Sequence, residues 1–168
     1  MLDQHISKTD VELWQRFIEA EHQLSSAREK LFSETSSLVP LVRAGLERPS
    51  ERVEALRVAA TLPIERRQEL LPELLALATY VHGLTGEAWH IILTLPHDWL
   101  LTNIENYAEP LLAHDDFEEY TGLLELYSHI DRILTLRLAH QASNHIDPDI
   151  KEVGQDFLAN PYPHRPLR

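Results

Sequence analysis

A twelve-residue segment occurs twice in this chain, and its period constrains the fold more than any other feature. Glu54-Ala55-Leu56-Arg57-Val58-Ala59-Ala60-Thr61-Leu62-Pro63-Ile64-Glu65 returns 33 positions later as Glu87-Ala88-Trp89-His90-Ile91-Ile92-Leu93-Thr94-Leu95-Pro96-His97-Asp98. Glu, Ala, Thr, Leu and Pro recur in place, while Val58/Ile91, Ala59/Ile92 and Glu65/Asp98 keep their character. Each copy reads as a helix ended by Leu-Pro, because the proline ring removes a donor and drives the preceding residue out of the helical region. Self-similarity at this period is the mark of stacked helical units.

The rest of the chain agrees with a helical reading. Strand-like alternation is scarce, and Val, Ile and Thr fall inside helical patterns. Five Gly are dispersed and ten Pro punctuate the chain. Thr9 with Glu12 has the form of a capping box. Beyond it, Leu13, Phe17, Ala20, Leu24, Ala27 and Leu31 step alternately by four and three, the seam of a helix packed along another helix. From Ser36 onward the predicted helices are short. Ser36 or Ser37 opens one that reaches Leu46, and Ser50 caps one ending at Leu62. Ile64–Leu71 and Pro72–His82 form a split pair, with Gly83 as a C-terminal glycine. Helices follow from Gly86 to Leu95 and, behind an Asp98 cap, to His114. An Asp115 cap opens a helix burying Phe117, Tyr120, Leu124 and Tyr127. The last two helices run from Asp131 to Ala142 and from Pro148 to Leu158.

Charge is uneven. Twelve acidic residues and no Lys or Arg lie between Gln68 and Asp131, so this segment carries the whole net charge of −12. Such a field repels nucleic-acid phosphate and attracts basic surfaces. No Cys is present, which excludes disulfides and thiolate metal sites and is compatible with a cytoplasmic setting. Met1-Leu2-Asp3-Gln4-His5 lacks the basic and apolar regions of a secretory signal, and no apolar run is long enough to span a membrane.

Paired short helices with a proline in or before the first resemble HEAT and armadillo repeats. Asp147-Pro148-Asp149-Ile150-Lys151-Glu152-Val153, followed by Phe157-Leu158, is similar to that family's Asp-x-x-(Val/Ile)-(Arg/Lys)-x-x-(Ala/Val) opening of a second helix. Pro49-Ser50-Glu51-Arg52-Val53-Glu54-Ala55-Leu56 is similar at lower fidelity. The resemblance implies a right-handed stack of antiparallel helix pairs that serves as an interaction scaffold.

Catalytic signatures are missing: neither a Gly-x-Ser-x-Gly elbow nor a glycine-rich phosphate loop occurs. A ferritin-like metal enzyme is one alternative, since Glu19-x-x-His22 and Glu87-x-x-His90 could each place a carboxylate and an imidazole on one ion. Glu125 with His129, and Glu69, Glu73 and Glu109, would add ligands. A subunit that pairs with its own copy through the N-terminal seam is the second alternative.

Together these features predict an all-α domain over residues 9–159. Its long helix, 9–33, caps HEAT-like pairs over 36–159, between a flexible N-terminus at 1–8 and a Pro-rich tail at 160–168. The expected role is a non-enzymatic interaction module with no cofactor, metal, nucleic acid or membrane partner. Its partner is a protein, basic in character. Trp99 is the expected anchor, and Asp115, Asp116, Glu118 and Glu119 the steering charges.

Overall fold

The computed structural model describes residues 7–80 and 83–160. Most of the N-terminal segment expected to be flexible, residues 1–6, lies outside the described residues, as do His82 and residues 161–168 of the Pro-rich tail, whereas Ser7 and Lys8 begin the first helix. Those residues form ten helices and no strand: α1 Lys8–Glu34, α2 Leu38–Glu47, α3 Arg52–Ala59, α4 Ile64–Gln68, α5 Leu71–Thr79, α6 Thr85–Leu93, α7 His97–Leu112, α8 Phe117–Ile130, α9 Arg132–Ser143 and α10 Pro148–Ala159. The chain divides into two compact units, Met1–Pro40 and Leu41–Arg168.

In the first unit α1 is a continuous helix of 27 residues. Its capping box uses Ser7 and Asp10, two residues ahead of the expected Thr9 and Glu12: the Asp10 amide donates to Ser7 Oγ at 3.1 Å, and the Ser7 amide returns the bond at 3.2 Å. Both pairs fit the motif, and the one that begins the helix earlier gains hydrogen bonds along more chain.

The second unit is organised around α5. Its sequence, Leu71-Pro72-Glu73-Leu74-Leu75-Ala76-Leu77-Ala78-Thr79, is apolar on nearly every side, the composition of a helix with neighbours all round. It packs against α6, α7 and α8, and its Leu71, Leu74 and Leu75 are fully buried. Ile92 of α6, Ile104 of α7 and Leu123 and Leu124 of α8 complete this core. Trp89 joins it because its indole N–H finds a partner, donating to the Ala78 carbonyl at 3.0 Å. At the far side α9 and α10 pack so closely that only glycine fits at 154. A Cβ there would lie 2.7 Å from the Ala142 carbonyl carbon and 2.8 Å from the Ala139 oxygen.

The sequence echo is also a structural echo. In the first copy Thr61 Oγ1 donates to the Val58 carbonyl at 2.8 Å, and the Leu62 amide to Ala59 at 3.2 Å. In the second, Thr94 Oγ1 donates to Ile91 at 2.6 Å, and the Leu95 amide to Ile92 at 3.0 Å. Leu62 and Leu95 both turn inward, and Pro63 and Pro96 both precede a new helix in extended geometry. The two echoed helices, α3 and α6, touch each other.

Several expected caps fall elsewhere. Glu51, without a side-chain cap bond, stands at the α3 start instead of Ser50, and Pro96 stands before α7 instead of Asp98. Proline can open a helix because the amide it lacks would have no partner there. Asp116, one residue past Asp115, caps α8. Tyr80 closes α5 three residues ahead of Gly83, so Gly83 does not stand at the position that follows the cap. Phe117 remains exposed while Tyr120, Leu124 and Tyr127 are buried as expected.

Candidate functional site

Three successive helices, with the connections that follow the first and the third, build a cleft of about 800 Å³ in the second unit. α7 supplies Glu105 and Glu109, four residues apart and hence on one face. α8 supplies Tyr120 and Tyr127, two turns apart, and α9 supplies Arg137 and Gln141. Asp115 from the α7–α8 connection and His145 from the α9–α10 turn sit at its edge.

One wall is a bidentate ion pair. Arg137 Nε donates to Glu105 Oε1 at 2.9 Å and Nη2 to Oε2 at 2.7 Å, the parallel geometry that suits a guanidinium and a carboxylate. The hydrogen bond to Glu105 holds the Arg137 proton above its ordinary range. With both side chains about half exposed, the pair contributes orientation more than stability.

Next to it lies Tyr127, 1 % exposed, whose hydroxyl has no hydrogen-bond partner among the described residues. Burial pushes its pKa well above the ordinary phenol value; the Glu105 charge adds to this and Arg137 opposes it. Tyr120 is raised too, first by burial, with the Gln141 amide donating to its oxygen at 3.3 Å. The Tyr120 ring meets the His145 ring at a centroid distance of 5.4 Å.

His145 is oriented from both sides. The Asp147 amide donates to Nδ1 at 3.1 Å, which leaves the ring proton on Nε2, where it faces Asp115 Oδ1 at 3.1 Å. Asp115 is the one described non-glycine residue with positive φ, at 54°. Aspartate tolerates that region better than most side chains, at a cost of order 1 kcal/mol. The cleft therefore holds three carboxylates, one guanidinium already engaged by one of them, and two aromatic rings. Both rings are buried, so the accessible lining is carboxylate, with Leu112 and Ile146 among its apolar members.

The structure places the sequence-derived site residues apart. Asp115 lines the cleft. Asp116 is used as a cap, its Oδ1 accepting the amides of Glu118 at 2.8 Å and Glu119 at 3.4 Å. Glu119 is 1 % exposed and so cannot act as a surface steering charge; His114 Nδ1 lies 3.0 Å from its Oε1. Its charge, ahead of burial, raises Tyr80. Glu118 is exposed. Trp99 is half-buried on α7, its ring 6.2 Å from that of Tyr107, and it does not line the cleft.

Among the described residues no three His, Asp or Glu side chains gather where they could hold a metal ion. Glu73 is engaged by Arg43 at 2.7 Å, Glu69 by Arg66 at 3.2 Å, and His129 packs its ring 5.3 Å from Trp89. No described helix is long and apolar enough to cross a membrane.

Glu105, Arg137 and His145 were not legible as site residues in the sequence, whereas Tyr127 reads there as a core position. Glu105 and Arg137 are 32 residues apart, and neither belongs to a local motif. No protein-family model, curated protein or solved structure matches the chain.

Proposed function

We propose that this chain is a HEAT-like helical interaction module that docks a basic protein segment in the α7–α9 cleft. The observation that carries this reading is the lining itself: Glu105, Glu109 and Asp115 converge beside Tyr120 and Tyr127, with Arg137 occupied by Glu105. A lysine or arginine would lay its stem on Leu112 and the exposed Ile146 and its head among the carboxylates. Because the surrounding segment from Gln68 to Asp131 has no Lys or Arg, a basic partner meets attraction over a broad approach. The repeated α3 and α6 termini support the repeat assignment, and the close α9–α10 pair behind an Asp147 cap supports the HEAT-like one. The role is non-enzymatic, with binding chemistry supplied by charge and shape.

Calorimetric titration with a hexa-arginine peptide at low salt tests this. The parent should bind, with affinity falling as salt screens the charges. Combining Glu105→Gln, Glu109→Gln and Asp115→Asn should weaken binding at least tenfold, whereas Glu118→Gln outside the cleft should change it less than twofold. Asn at 115 keeps the tolerance of positive φ, so the fold is preserved. Equal binding by parent and triple variant, or none by the parent, would refute the assignment.

A further inference from the structure

The helix α1 presents an apolar stripe that its own unit leaves uncovered. None of its residues is buried, and Leu13, Phe17 and Leu24 are 58 %, 51 % and 50 % exposed. Trp14, 63 % exposed, stacks on Phe17 with ring centroids 5.5 Å apart. Single exposed apolar residues are ordinary, but a continuous stripe along one helix marks an interaction surface.

We propose that this stripe pairs with the α1 of a second copy of the chain, as a parallel, in-register two-stranded coiled coil. Phe17, Leu24 and Leu31 occupy the a positions and Leu13, Ala20 and Ala27 the d positions, so every seam position from 13 to 31 is apolar. Flanking positions settle both partner and direction. In a parallel pair a g residue faces the e residue five places on in its partner, which sets Arg16 against Glu21 twice, once on each side. The remaining full matches, Thr9 against Trp14 and Gln23 against Arg28, carry no like charge. An antiparallel pair with the same overlap would set Arg16 against Lys30 twice and Glu21 against its own copy.

Size is adequate as well. A 27-residue helix is about 40 Å long. Joining two such stripes removes on the order of 1,000 Å² from water in total, the lower edge of a specific interface. Alanine at 20 and 27 lets the helices approach closely while Phe17 and Leu24 fill the layers between. Pairing at α1 is independent of the α7–α9 cleft; a dimer would carry two clefts and bind a multivalent basic partner with avidity.

Because the chain has no cysteine, single introduced thiols report the arrangement cleanly. Leu13→Cys and Leu31→Cys are prepared separately, oxidised mildly, and then oxidised as an equal mixture. Self-crosslinking of each variant alone, with a dimer mass in sedimentation at micromolar concentration, is the expected result. Crosslinks only in the mixture would overturn the parallel register, and a monomer mass for the parent would overturn self-pairing altogether. Phe17→Asp with Leu24→Asp should abolish the dimer while circular dichroism shows the second unit still folded. Arg16→Glu should weaken association about tenfold, and adding Glu21→Arg should restore it. Failure of that rescue would contradict the paired charges.

Discussion

Among the described residues the buried hydroxyl of Tyr127 has no hydrogen-bond partner, and leaving such a group unsatisfied costs about 1–3 kcal/mol. Tyr127→Phe should therefore raise stability by about 1 kcal/mol, measured by chemical denaturation, where a core truncation would lower it. The same residue sets an alkaline limit. Its pKa is higher folded than unfolded, so its stabilisation is whole below the ordinary tyrosine value of about 10 and is lost as pH rises beyond it. Tyr80 and Tyr120 shift the same way. Stability should thus fall from pH 10 upward, less steeply in Tyr127→Phe. Glycine 154 makes the opposite case, because its missing side chain is required. Gly154→Ala should destabilise by about 2 kcal/mol, as α10 must withdraw from the Ala139 and Ala142 backbone.

At the scale of elements, helix ends decide the geometry of the cleft. Asp116 caps α8 and Asp131 caps α9, the latter accepting the Leu134 amide at 2.9 Å. Asp116→Ala should cost about 1 kcal/mol and Asp115→Asn much less, a comparison that thermal unfolding can make. Much of the helix order was legible in the sequence. Leu-Pro pairs end α3 and α6, Pro72 opens α5, and Asp131 and Asp147 stand at true starts. Exact caps were harder to read where neighbours compete. Asp115 and Asp116 are chemically alike, and which one caps depends on how the chain turns after α7, through a φ of 54° at Asp115. Likewise Glu119 reads as one more surface acid, although packing buries it beside His114.

At the scale of the whole molecule, the sequence showed the acidic segment but not the cleft inside it. Charge accumulates along the chain and can be counted, whereas the pairing of Glu105 with Arg137 depends on α7 meeting α9 across 32 residues. Only the fold brings Asp115 to His145, 30 residues on. Two surfaces result, an acid-lined cleft of rings and carboxylates and an apolar stripe on α1. Charge on the first should govern association rate and salt dependence, while the second buries apolar area and responds little to salt. Doubling the salt should therefore weaken hexa-arginine binding several-fold and leave α1 pairing nearly unchanged, as parallel titration and sedimentation would show.

The most direct measurement is the amide spectrum of the isotopically labelled chain, followed as hexa-arginine is added. Shifts concentrated on Glu105, Glu109, Tyr120, Gln141 and Ile146 are the expected result, with the α8 acids outside the cleft and the whole of α1 little changed. Shifts spread evenly over every acidic surface, or absent from the cleft, would contradict a docking site there.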